Sequence, residues 1–196
     1  MPHLEVLESE LRNFQIELAT EEKLILARYC DELAHWNKKI NLTGLRGPEM
    51  VRRLVVEPLW IGRELKPKGI LADIGSGNGS PGIPLHVLCK FWKTHLVEVR
   101  VRRAAFLRHV AATLNLSDVM VHRDRFESIV SELSPVDWIT FQGVALTQDL
   151  IRRIQDAVSA PTNIVWITST DANPPVNPSG TLQVPYTRTK VLLFCL

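Results

Sequence analysis

Apolar residues in the first third of the chain recur at helical spacing. Leu4, Leu7, Leu11, Phe14 and Leu18 follow at three- and four-residue steps, which lines them up on one face of a first helix. Thr20 ahead of Glu21 and Glu22 predicts an N-cap with acids in the first turn, where the helix dipole favours negative charge. The second helix keeps an apolar face through Leu24, Ala27, Leu33 and Trp36. Residues 37–45 read as a polar linker. Gly47-Pro48-Glu49 then looks like a third helix start, and Pro58 should interrupt or kink that third helix.

Beyond Lys66-Pro67-Lys68-Gly69 the texture changes. Short apolar runs at 70–74, 94–99, 119–122, 138–141 and 163–168 are separated by amphipathic stretches at 85–92, 102–115, 126–133 and 146–158. Strands alternating with helices imply right-handed crossovers and an α/β fold whose parallel sheet is covered on both faces. From Asp171 the rhythm breaks at Pro174, Pro175, Pro178 and Pro185. Gly180 and Val184 flank a short strand, and 190–196 reads as a finishing strand antiparallel to its neighbours. The expected organisation is a helical extension over 1–66 and a sheet-bearing core over 67–196.

Composition narrows the class. With 196 residues, 45% of them hydrophobic, and five Trp, the chain carries enough apolar surface for one packed core and is not a disordered tail. A net charge of +2 provides no chain-wide cationic field, so any basic partner site must be local. The three cysteines, Cys30, Cys89 and Cys195, are widely spaced and contain no CxxC, which suits a reducing cytoplasm better than a disulfide framework. No apolar run approaches the ~18 residues of a membrane span, and residues 1–9 carry acids where a signal sequence would be basic. The expectation is a cytoplasmic protein with no membrane association and no metal; the six His show no H-E-x-x-H spacing.

The chemistry concentrates in Ile70-Leu71-Ala72-Asp73-Ile74-Gly75-Ser76-Gly77-Asn78-Gly79-Ser80-Pro81-Gly82-Ile83-Pro84, a buried strand, a glycine-dense turn and a helix start. Positions without side chains let the backbone approach a ligand closely, and the helix after the turn presents free N–H groups. A dinucleotide site wants G-x-G-x-x-G, with the third glycine where Ser80 stands, and a P-loop wants Gly-Lys-Ser/Thr; neither is present. Asp73, Gly75, Gly77 and Gly79 instead resemble the first motif of S-adenosylmethionine-dependent methyltransferases. Ser76 and Ser80 sit among these residues and join them as cofactor-binding candidates.

Two later segments fit the same ligand. The second strand ends in Leu96-Val97-Glu98, which places an acid about 20 residues or slightly more past the turn, where it can accept both ribose hydroxyls of a nucleoside. After the third strand, Arg125-Phe126-Glu127 makes Phe126 and Glu127 candidates for the adenine side. Phe126 serves equally well as a core anchor for the next helix.

With Trp36-Asn37-Lys38-Lys39-Ile40-Asn41-Leu42-Thr43, the Pro81-Gly82-Ile83-Pro84 continuation, Glu98 followed by Arg103 and Phe106-Leu107, and Arg125-Phe126-Glu127, the chain resembles the bacterial 16S ribosomal RNA guanine methyltransferases, historically called glucose-inhibited division protein B. The resemblance runs from the second helix to about the fourth strand. It implies a mostly parallel, Rossmann-like class I methyltransferase sheet with an amino-terminal helical extension. It also implies S-adenosyl-L-methionine as cofactor, and a monomer that delivers methyl to nitrogen-7 of a guanine in ribosomal RNA or the small ribosomal subunit. That nitrogen carries a free lone pair, so no general base is needed and positioning governs the transfer. No catalytic residue is assigned.

Departures from the family pattern cluster on the substrate rim. Leu54-Val55-Val56-Glu57-Pro58 stands where members usually carry His and then Asp-Ser. Gln142-Gly143 replaces an Arg-Ala pair after the fourth strand, and Thr168-Ser169 replaces a Lys-Gly after the fifth. Gln142 remains a cofactor-side candidate, although a neutral amide cannot hold a phosphate bidentately. Local cations supply RNA-contact candidates at Lys38, Lys39, Arg46, Arg52, Arg53, Arg123 and Arg125, with a further cluster at Arg100, Arg102, Arg103 and Arg108. The rim leaves an alternative open: a non-catalytic or re-targeted paralogue that binds cofactor or RNA.

Overall fold

The computed structural model describes residues 2–133, 135–158 and 160–196. The first helix, α1 (Leu4–Asn13), is shorter than its apolar spacing suggests. Gln15 takes a left-handed conformation (φ 52°) and the Ile16 N–H closes on the Leu11 carbonyl at 3.0 Å, which ends the helix before Leu18 can extend its face. In α2 (Thr20–Trp36), Thr20 is already helical and does not cap. Glu22 Oε2 instead accepts the Ala19 N–H at 2.9 Å, so the acid reaches back to the position before the helix.

A third helical stretch consists of α3 (Gly47–Val51), a π-helical turn over Arg52–Val56 and α4 (Glu57–Leu65). Pro58 offers no N–H to the turn before it. The helix widens there and continues; it does not break.

The sheet comprises β1 (Ile70–Ile74), β2 (Lys93–Val97), β3 (Val119–His122), β4 (Trp138–Gln142), β5 (Asn163–Ser169), β6 (Gly180–Gln183) and β7 (Thr189–Cys195). Its order is β3-β2-β1-β4-β5-β7-β6. The first five strands are parallel, and β7 runs antiparallel to both β5 and β6. The crossovers are α5 (Gly82–Cys89), α6 (Val101–Thr113), α7 (Phe126–Leu133) and α8 (Gln148–Ala157). Strand order reverses between β1 and β4, and in open α/β sheets ligands sit in the crevice at such a switch point.

Alternation along the strands divides the core between two faces. Val165 and Ile167 of β5 pack with Leu7, Leu26, Leu33 and Leu59 of the amino-terminal helices and with Phe106 and Leu107 of α6. Ile164 and Trp166 face the other way, toward Ile129 of α7 and Ile151 and Ile154 of α8. The helical extension therefore shares one apolar layer with the sheet. Among the described residues, no helix is long and apolar enough to cross a membrane.

Candidate active site

The carboxyl ends of β1 and β2 are tied together by the glycine loop. The N–H groups of Gly75 and Ser76 both donate to the Val97 carbonyl, at 2.9 and 3.1 Å. Gly75 sits at φ +72°, and a Cβ there would lie 2.5 Å from Val144 Cγ2. The position thus excludes a side chain both by conformation and by space. Gly82 opens α5 against Asp73, where a Cβ would come within 3.0 Å of the Asp73 Cβ and Oδ2.

Two carboxylates organise the loop, and neither is exposed. Glu98, just beyond the end of β2, is 5% exposed. Its Oε2 accepts the Gly77 N–H at 3.1 Å and its Oε1 accepts the Arg100 N–H at 2.7 Å. Each oxygen keeps a second lone pair. Asp73 is 1% exposed. Its Oδ1 accepts the Thr140 hydroxyl at 2.7 Å, while Oδ2 is buried with no hydrogen-bond partner. Burial pushes the Asp73 carboxyl up to about 6; the Thr140 hydroxyl opposes that rise and the neighbouring Glu98 charge adds to it.

A cavity of about 380 Å³ opens beside this loop, of the size that small-molecule sites occupy. Of the sequence candidates for the cofactor, it brings together Gly75, Glu98, Phe126 and Glu127. Phe126 lines the cavity and is at the same time buried in one apolar cluster with Ile129 and Val130. The other candidates lie behind this wall. Ser76 Oγ donates to the Asp73 carbonyl at 2.7 Å, Gly77 donates to Glu98, and Gly79 donates to the Ser76 carbonyl. Ser80 Oγ donates to Gln142 Oε1 at 3.1 Å, so the amide at the end of β4 is held by the loop.

The cations divide as well. Arg125, read from the sequence as an RNA contact, lines the same cavity as Gly75 and Glu98. Arg123 is exposed in the same β3–α7 connection. Lys38 and Lys39 come after α2, with Lys39 Nζ 6.0 Å from the centre of the Trp36 ring. Arg46 precedes α3, and Arg52 and Arg53 lie in the π-helical turn.

Several contributors carry no local signal. Val144 and Leu150 reach the cavity from the connection after β4 and from α8, and Asp124 from the loop before α7. Thr140 had a faint one, a hydroxyl between Ile139 and Phe141 in an otherwise apolar strand. In the stretch that departs from the family pattern, Glu57 is 2% exposed and its Oε2 accepts the Thr189 hydroxyl across 132 residues of chain, while Oε1 has no partner. Burial raises its pKa.

The linker of 37–45 is folded onto the glycine loop. Asn37 Oδ1 accepts the N–H groups of Leu42 and Thr43, and its Nδ2 donates to the Thr43 carbonyl. Tyr29 Oη donates to the Asn78 carbonyl at 2.9 Å, and Arg103 Nη2 to the Asn41 carbonyl at 3.0 Å. The segments that carried the family resemblance are therefore in contact.

A sheet of this order, with a glycine-rich bend after the first strand and an acid after the second at the edge of a cavity, defines a class I S-adenosylmethionine-dependent methyltransferase. Residues 22–173 match the family described as rRNA small subunit methyltransferase G. A relative from Wolinella succinogenes, "Ribosomal RNA small subunit methyltransferase G", is 31% identical over 160 residues, 82% of this chain and 82% of that one. The protein of the same name from Chloroflexus aggregans is 35% identical over 141 residues, 69% of this chain and 59% of its own length. The fold is shared with a solved S-adenosylmethionine-dependent methyltransferase from Aquifex aeolicus (TM-score 0.58, 15% identity, 74% of this chain and 92% of that one). The chain belongs to the rRNA small subunit methyltransferase G family.

Proposed function

We propose that this chain transfers a methyl group from S-adenosyl-L-methionine to nitrogen-7 of a guanine in small-subunit ribosomal RNA. The observation that carries the reading is the cavity at the sheet's switch point, walled by a loop that admits no side chain at Gly75 and by a buried carboxylate with spare acceptor capacity. These residues fit the cofactor. Glu98 would accept the ribose hydroxyls, Phe126 would lie against the adenine, and backbone N–H groups near Arg125 and Glu127 would meet its edge. When bound, the cofactor supplies an electrophilic methyl on a sulfonium.

The protein's own contribution is placement. The Gly75–Val97 and Gly77–Glu98 hydrogen bonds fix the loop before a ligand arrives, and the apolar floor of Ile74, Val97 and Phe126 excludes water. The acceptor nitrogen needs no deprotonation, so no base has to be found. Lys38, Lys39, Arg46, Arg52, Arg53 and Arg123 supply phosphate contacts around that edge. On this reading the enzyme acts in the cytoplasm as a monomer without a metal, a setting that suits its three free cysteines.

The test is transfer of radiolabelled methyl from S-adenosylmethionine to small ribosomal subunits and to protein-free RNA, with nucleoside analysis of the product. Labelled 7-methylguanosine is the expected result. Cofactor binding with no label in any RNA would establish the non-catalytic paralogue, which the held Gln142 at the rim favours.

A further inference from the structure

The edge of the sheet opposite the cofactor carries a second concavity. Two cavities, of about 500 and 690 Å³, share Glu21, Ile25 and Leu116 and so form one continuous trough. Its walls are α2 from Glu21 to Glu32, the end of α5, the connection after α6, and Trp92 and Asp118, which directly precede β2 and β3. It therefore lies at the amino edge of the parallel strands. The floor is apolar, with Phe91 and Val87 at one end and Leu114 at the other. Two large apolar side chains on its border stay uncovered: Trp92 is 78% exposed and Leu24 40%. Apolar surface concentrated in a groove marks an interaction site more often than a scattered residue does.

The charge of the trough runs against that of the chain. Five carboxylates line it, Glu21, Glu22, Asp31, Glu32 and Asp118, against the cations Arg28 and Lys90. The molecule as a whole is at +2. Three of the acids are engaged: Glu22 with Lys90 at 3.4 Å, Asp31 with His3 at 2.6 Å and Glu32 with His109 at 2.8 Å. Glu21 and Asp118, which both line the end near Trp92, have no ion-pair partner among the described residues.

We propose that this trough docks a basic peptide segment of another protein, a run of arginine or lysine that carries an apolar side chain. The apolar floor takes the anchor, the Trp92 ring offers a face to a guanidinium, and Glu21 and Asp118 take up its charge. Phosphate is the wrong ligand for such a rim, because carboxylates repel it. A polypeptide seated at the amino edge leaves the cavity at the carboxyl edge open, so the chain can hold a protein partner and a nucleoside ligand together.

The probe is a fluorescein-labelled peptide that alternates arginine pairs with single leucines, titrated with the full chain and followed by anisotropy. Saturable binding that weakens with salt is expected. Trp92→Ala, and the double variant Glu21→Gln with Asp118→Asn, each weaken it about tenfold while the melting temperature holds, because all three side chains sit at the surface. Arg125→Ala leaves it unchanged. The proposal is overturned if the peptide does not saturate, if both groove variants bind it as tightly as the parent, or if polyuridine RNA competes for it. It is equally overturned if sedimentation reveals a dimer that Trp92→Ala dissolves, which would assign the trough to a second copy of this chain.

Discussion

Two regions of the molecule hold buried carboxylates in different ways. Beside the cavity, Glu98 accepts the Gly77 N–H of the loop and the Arg100 N–H after it, while Asp73, 25 positions earlier, accepts the Thr140 hydroxyl of β4 and keeps its other oxygen buried without a partner. In the third helical stretch, Glu57 depends on Thr189, at the far end of the chain. The bonds that shape the glycine loop, Gly75 and Ser76 to Val97 and Gly77 to Glu98, come from one stretch of sequence. The second region is assembled only when the amino-terminal helices and the carboxyl-terminal hairpin meet. The departures from the family pattern fall on both: Glu57 belongs to the assembled region, while Gln142 accepts the Ser80 hydroxyl of the glycine loop.

Substitution at Gly75 tests the first region most severely. Gly75→Val places a branched side chain at φ +72° against Val144, and the loop can relieve that only by moving into the cavity. S-adenosylmethionine affinity measured by calorimetry should fall about a thousandfold (~4 kcal/mol), and Val144→Ala in the same background should recover part of it. Unchanged affinity would remove the cofactor from this loop.

Next in size is a pH effect on the ligand-free protein. Folding raises the Asp73 pKa to about 6, so between the ordinary aspartate range and that value the folded chain keeps a proton that the unfolded chain releases. Stability from this group is therefore lost as pH rises through that window. Asp73→Asn has no such slope, and denaturant titrations should favour the variant over the parent by about 2–3 kcal/mol more at pH 7 than at pH 4.

In the assembled region, Thr189→Val leaves both Glu57 oxygens buried without a partner. It should lower stability by about 1–3 kcal/mol at neutral pH with no change in cofactor affinity. A matching loss of cofactor affinity would merge the two regions into one unit. The smallest effect belongs to Glu98→Gln, which keeps an acceptor and loses the charge. Cofactor binding should weaken about tenfold while the fold is retained, the single carbonyl oxygen serving one of the Gly77 and Arg100 N–H groups and leaving the other unpaired.

These differences also explain what the chain disclosed before it was folded. Ile70–Ile74 is read to the residue because a buried parallel strand is a continuous apolar run between punctuating residues, and Val119–His122, at the edge of the sheet, because it is a short β-prone run bounded by polar residues. Glu98 was legible from its distance to the glycine loop, though it falls one residue past the strand predicted to contain it. The end of α1 was not legible, because the left-handed turn at Gln15 is a choice made by the packing of Phe14 and Ile16. Thr20 gave way to Glu22 as the capping group for a similar reason, two acceptors competing for one helix end. Val144 and Leu150 could not be assigned to the cavity, since neither spacing nor residue type distinguishes an aliphatic side chain facing a ligand from one facing the core.

The hydroxyl of Tyr29 has a consequence for how such a chain can change over time. It reaches from the second helix to the carbonyl of Asn78, in the middle of the glycine-rich bend. Exchanging the front third of this polypeptide for that of a distant cousin would strip the bend of its brace unless the newcomer brought an equivalent donor, so the two segments are bound to be inherited together.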